Sequence, residues 1–199
     1  MNRSIQTLSS IMIIAGFLAW ALLSGTAEPL LALLSVGLHE AGHMTMALLC
    51  HVPLGGFHAS SFEARIHLTG ESVSYRKEAC ICLAGPLVNI LTALLLYPAG
   101  GRILQDDPIS FFCTVSIALA VLNLFPISDF DGGRILYCMI SQLLGPNTAS
   151  SVCRFCSFFS LFFLWSISVY VLLRTGGNFS LFFFSVSLFL KIIETDPPR

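Results

Sequence analysis

Residues 29–50 read PLLALLSVGLHEAGHMTMALLC, an apolar run that carries His39, Glu40 and His43 near its middle. As a helix the run rises about 33 Å, enough to cross the hydrocarbon core of a bilayer. An ionised carboxylate at the centre of such a helix costs about 2.5–3.5 kcal/mol on insertion scales, so Glu40 is read as functional by default.

The five residues His39-Glu40-Ala41-Gly42-His43 form an H-E-x-x-H. Residues four apart stack on one helical face, about 6 Å between Cβ atoms, so both imidazoles can reach one metal ion. Glu40 flanks that face, where a carboxylate can take a proton from an attacking water. Gly42 costs a helix about 1 kcal/mol relative to Ala, but its bare backbone lets another segment approach closely. A chance match would also have to fall in the middle of an apolar span, so the metal site is preferred. Two histidines and a carboxylate with one open position suit a single zinc ion.

Outward from this run the chain keeps the same character. Of 199 residues, 55% are hydrophobic and 11% charged, against about 25% charged in soluble domains; the mean hydropathy is +0.83. Apolar runs at Ile5–Leu23, Pro29–Cys50, Ala79–Ala99, Ile109–Phe125, Val152–Leu173 and Phe179–Ile193 predict an all-α polytopic membrane protein with about six transmembrane helices. The last run rises only about 22 Å and must thin the bilayer or sit off-centre. With the N-terminus inside, Arg3, Arg65, Arg76, Lys77, Arg134, Arg154, Lys191 and Arg199 fall inside, and only Arg102 and Arg174 outside. That bias places both termini and the segment His51–Glu78 in the cytosol, and the protein is expected to be multi-pass in the cell membrane. A cleaved signal peptide is the alternative for residues 1–27, since small residues follow the first run. The net charge of −1 gives no nucleic-acid footprint. Seven cysteines, almost all in apolar segments, are an odd number and read as packing residues.

The longest polar stretch, His51–Glu78, is too short to build its own core, so residues 1–199 are read as one membrane domain. Its core is residues 28–145, with accessory helices at 1–24 and 151–193. Between the second and third spans, Phe62 to Thr69 alternates apolar and polar residues, predicting a strand in a small β element bounded by Gly55, Gly56 and Gly70. Pro126 must break its helix, so the fourth span opens at Phe125. Non-helical backbone at membrane depth is tolerated only where it is buried in protein or lines a wet cavity, so the break marks a site.

Among carboxylates after His43, only Asp129 and Asp131 lie in that break. Two glycines follow Asp131 and permit close approach. It is favoured as the third ligand, with Asp129 as the fallback. Asp131 could also act as the N-cap of the next helix. Glu63 is the rival third ligand in a membrane zincin of another clan. A non-catalytic metal transporter or sensor is the rival of a different class, but it needs a polar path through both membrane halves. Asn123 is an amide that must find a hydrogen-bond partner.

The two motifs together resemble the site-2 protease family of intramembrane zinc metalloproteases. That family pairs H-E-x-x-H with an N-x-x-P…D-G motif on a later helix, here Asn123-Leu124-Phe125-Pro126 through Asp131-Gly132. Ala84-Gly85-Pro86-Leu87-Val88-Asn89 is similar to a family segment on the intervening helix. The resemblance implies zinc on His39, His43 and Asp131, Glu40 as general base, and Asn123 assisting the substrate or transition state. It implies hydrolysis within or near the transmembrane segment of a membrane protein, such as a membrane-tethered transcription factor or its regulator. The layout is nearest the branch that processes sporulation sigma-factor precursors; no PDZ or CBS domain is expected. Substrate-binding residues and any regulatory partner are unassigned, although an exposed strand at Phe62–Thr69 could pair with an unwound substrate.

Overall fold

The computed structural model describes residues 16, 19, 22–23, 25–52, 58–60, 63–65, 73–100, 107–175 and 184–189. The fold is helical apart from one short strand pair: α1 (Glu28–Leu49), α2 (Tyr75–Gly100), α3 (Pro108–Asn123), α4 (Asp131–Leu144) and α5 (Pro146–Thr175), with residues 184–189 also helical. The span expected over Ile5–Leu23 lies mostly outside the described residues, as does that over Phe179–Ile193 apart from 184–189.

Among the described residues, α2 over Tyr75–Tyr97 and α5 are long and apolar enough to cross a membrane by length and composition. Six crossings were expected, and the difference has several causes. The polar residues of α1 lower its hydropathy, α3, of 16 residues, rises only about 24 Å, and the first and last runs lie mostly outside the described residues.

The chain packs as two compact units, Met1–Asn123 and Leu124–Arg199. In the first, α1, α2 and α3 pack against one another in every pairing. Ser35 and Ser116 are fully buried with their hydroxyls 3.0 Å apart, while Leu30, Leu34, Leu91, Leu94 and Leu95 are exposed. Hydroxyls inside and leucines outside suit lipid, where small and hydrogen-bonding residues bring helices together and apolar side chains face the acyl chains.

A Schellman motif stops α1. The Val52 N–H donates to the Ala47 carbonyl and the His51 N–H to the Leu48 carbonyl, both at 3.0 Å. His51 takes the left-handed position usually given to glycine, at φ 54°. Val52 then packs against Ala47 and Ile81, and Lys77 Nζ donates to the Cys50 carbonyl at 3.0 Å. The helix bearing the histidines therefore ends at a defined point, tied to the start of α2.

In the connection between α1 and α2, His58–Ser60 (β1) pairs antiparallel with Glu63–Arg65 (β2), in the register His58 with Arg65. Of the strand expected over Phe62–Thr69, residues 63–65 are paired in the ladder, and the remaining positions lie outside the described residues.

In the second unit, α4 packs against α5. Gly145, at φ 87°, turns the chain out of α4, and Pro146 opens α5 where its missing N–H is not needed. Serines again face inward: Ser157, Ser160 and Ser168 are buried, while Phe155, Phe159 and Phe162 are exposed. All seven cysteines are free.

Candidate metal centre

His39 and His43 project from α1 as the spacing requires, 5% and 9% exposed. Their Nε2 atoms stand 3.1 Å apart and their rings cross at 85°. Two nitrogens bound to one tetrahedral zinc at 2.0–2.1 Å would be about 3.3 Å apart, so the pair is close to a ligating geometry.

The remaining nitrogen of His43 has a defined partner. Nδ1 lies 2.7 Å from the Ile81 carbonyl, and since a carbonyl only accepts, Nδ1 carries the proton. Nε2 is thereby left with its lone pair toward His39. An outer hydrogen bond of this kind is what fixes the tautomer of a metal-binding histidine.

Two glycines let α2 come close enough to supply it. A Cβ on Gly42 would stand 2.8 Å from the Ala84 carbonyl oxygen and 3.0 Å from Val88 Cγ2, so the close approach expected there takes place. A Cβ on Gly85 would meet His43 Nε2 first, then His43 Cε1 at 2.5 Å and His39 Cε1 at 3.0 Å. Room at the coordinating edges of both rings therefore depends on Gly85 having no side chain. The donor set, its tautomer and this space all fit a zinc ion. Glu40 follows His39 in α1, half-buried beside the pair.

Asn123 is the last residue of α3, and its Nδ2 donates to the Leu119 carbonyl at 3.0 Å. α3 thus ends earlier than the expected opening at Phe125. Proline disfavours helical backbone in the residue before it and clashes with the carbonyl one turn back, which accounts for the early stop.

In the second unit three N–H groups of the break have defined partners. The Ile127 N–H donates to Phe125 at 2.8 Å and the Phe130 N–H to Ile127 at 2.9 Å. The Ser128 N–H donates to Ser157 Oγ at 2.9 Å, and that hydroxyl donates to the Cys153 carbonyl at 2.7 Å. This accounting lets irregular backbone sit among helices. Gly132 and Gly133 fit the start of α4 against it. A Cβ on Gly132 would meet the Leu124 carbonyl first and the Phe125 oxygen at 2.6 Å; one on Gly133 would meet the Ile127 carbonyl.

Asp131 is the first residue of α4, half-buried, and the N-cap is Phe130, in extended conformation. The N-cap reading of Asp131 is therefore corrected. Its carboxylate sits in the first helical turn, where the helix dipole favours negative charge. Asp129 lies in the break, half-buried. Glu63 lies on β2, and its side chain is outside the described groups.

Sequence reading alone missed Ile81, because its contribution is a backbone carbonyl that any residue could supply. It flagged Gly85 only through a resemblance, although a glycine within an apolar helix is a signal of close approach.

The sequence model of peptidase family M50 matches residues 102–167. "Putative zinc metalloprotease sll0528" of Synechocystis is 29% identical over 144 residues, covering 70% of this chain and 38% of that protein. "Stage IV sporulation protein FB" of Bacillus subtilis is 27% identical over 187 residues, covering 86% of this chain and 61% of that protein. The chain thus spans less than two thirds of either relative. The solved structure of a site-2 protease from Methanocaldococcus jannaschii superposes with a TM-score of 0.62 at 18% identity, over 96% of this chain and 91% of that one. The helical fold is that of the site-2 protease structure, and the resemblance read from the two motifs is borne out.

Proposed function

From this likeness to the site-2 protease family in motif, relatives and fold, we propose that the chain is an intramembrane zinc metalloprotease. It cleaves peptide bonds within or near the transmembrane segment of a membrane protein. The observation that carries the proposal is the His39 and His43 pair, with Nε2 atoms 3.1 Å apart on a helix whose outward face is leucine. A buried imidazole pair of that geometry is costly to hold in an apolar setting unless it binds something.

Asp131 is the proposed third ligand. A half-buried carboxylate that opens α4 without capping it supports this role better than the N-cap reading. The catalytic domain then draws on residues 28–145 as one functional whole.

When bound, zinc supplies a Lewis acid that polarises the scissile carbonyl and acidifies water. Glu40 takes the proton from the attacking water and returns it to the leaving amine nitrogen. His43 keeps its Nδ1 proton on the Ile81 carbonyl throughout, so its lone pair stays directed into the site. Asn123 acts as a hydrogen-bonding group toward substrate, its Nδ2 anchored on its own helix.

The integral membrane protein is proposed to lie with both termini and the opening of its site on the cytosolic side, from the distribution of arginine and lysine. A membrane-tethered transcription factor or its regulator is the proposed substrate class. The short β1–β2 pair is a proposed edge on which an unwound substrate strand could dock. Zinc content decides the ligand set. His39→Ala, His43→Ala and Asp131→Ala should each purify with less zinc than the unsubstituted protein, and normal zinc in all three would end the proposal.

A further inference from the structure

Asn89 lies on α2 one turn beyond Gly85, and its side chain is fully buried, 0% exposed. Among the described residues, neither its Nδ2 nor its Oδ1 has a hydrogen-bond partner. A buried amide left in that state destabilises the fold, and native proteins nearly always satisfy one, with protein or with an ordered water.

The contacts between α1 and α2 fix which way this amide faces. Gly42 meets Ala84 and Val88, His43 meets Ile81 and Gly85, and Ala47 packs on Ile81. The two helices therefore run antiparallel, and the step from His43 back to His39 on α1 matches the step from Ile81 toward Gly85 and Asn89 on α2. Side chains on a helix lean toward its N-terminus. The amide of Asn89 accordingly leans over the turn of Gly85, where the edges of the two imidazoles fill the space a side chain would take. His43 already has its outer nitrogen held by α2, through Ile81. His39 turns Nε2 to His43 and keeps Nδ1 as its outer nitrogen, also buried.

We propose that Asn89 is a positioning residue of the metal centre, hydrogen-bonding to the His39 imidazole through one buried water and holding the ring in its ligating orientation. α2 then steadies both imidazoles, His43 with a backbone carbonyl and His39 with a carboxamide. A carboxamide both donates and accepts, so it can take a bridging water in either orientation. The inference rests on the reading of His39 and His43 as zinc ligands.

Asn89→Leu separates a positioning role from a packing role, because leucine keeps the volume and removes the amide. The purified full chain in detergent is titrated with a competing chelator to obtain its zinc affinity, and its thermal unfolding is followed in parallel. Loss of an outer partner of a metal-binding histidine lowers affinity about 10–100-fold, so that is the expected fall. The unfolding midpoint of the metal-free protein should stay level or rise, since an unsatisfied buried amide is gone. Asn89→Ser, which restores a hydroxyl and leaves room for a water, should recover part of the affinity. Unchanged zinc affinity in Asn89→Leu, or in Asn89→Ala should the leucine variant not fold, overturns the proposal while leaving the zinc reading intact. An unsubstituted protein that binds no zinc overturns both.

Discussion

Replacing Gly85 by alanine puts a methyl carbon against the coordinating edges of two imidazoles. The new Cβ would lie 2.5 Å from His43 Cε1 and 3.0 Å from His39 Cε1, with His43 Nε2 nearer still. Ordinary carbon contacts begin near 3.4 Å, so the His43 ring must retreat by about 0.9 Å or α2 must move away. Either response disturbs the ring, for α2 also holds His43 Nδ1 through Ile81. Metal sites tolerate bond-length errors of only about 0.2 Å, several times less than this displacement. Zinc affinity should therefore fall by at least the 10–100-fold that loss of an outer partner costs. The assay is zinc stoichiometry by atomic emission, followed by chelator competition. Gly37→Ala is the control: it is the same chemical change on α1, with nothing within 4 Å of its new Cβ. That variant should hold zinc normally and gain about 1 kcal/mol of helix propensity. Stoichiometric zinc at unchanged affinity in Gly85→Ala would show that the rings are not held as described.

Asp131→Ala should lower zinc content while Asp129→Ala leaves it unchanged; the reverse pattern in metal analysis would make Asp129 the ligand. Ser157→Ala removes the hydroxyl that receives the Ser128 N–H and should destabilise by about 0.5–1.5 kcal/mol, the net worth of a typical hydrogen bond. A level unfolding midpoint would mean that water replaces the hydroxyl. A cysteine at Ser72 should be labelled from the cytosolic side only, and labelling from outside would reverse the orientation. Arg65→Pro removes an N–H from β2 and should slow substrate cleavage while zinc stays bound. Cleavage at the unsubstituted rate by a well-folded variant would exclude that edge as a docking strand.

Features carried by side-chain identity were legible in the sequence. The H-E-x-x-H spacing put two imidazoles on one face, Pro126 marked the break, and the pair Gly132-Gly133 announced a close approach. Features carried by backbone or by distant pairing were not. The Ile81 carbonyl serves His43 across 38 positions, and no residue type signals a carbonyl. His51 ends α1 in a conformation that glycine usually marks, so the Schellman motif has no glycine to reveal it. Asp131 reads as an N-cap by composition, yet Phe130 takes that place, because the helix boundary is set by how the break packs on Ser157. Asn89 entered only as the end of the stretch Ala84–Asn89 that resembles a family segment, and its burial is what singles it out. Of the spans read from hydropathy, α2 and α5 are long and apolar enough to cross among the described residues, while α3 stops at Asn123, short of the expected Phe125.

Cleavage by the purified protein tests the central claim most directly. Single-span substrates are incubated with the unsubstituted chain and with Glu40→Gln, each with and without a chelator, and each preparation is assayed for zinc. The unsubstituted chain should cut a substrate within or near its membrane segment, lose that activity to the chelator and regain it when zinc is restored. Glu40→Gln should keep its zinc and cut nothing, because the amide cannot accept the proton. Cleavage by Glu40→Gln at the unsubstituted rate, or cleavage that survives complete removal of zinc, would contradict the account.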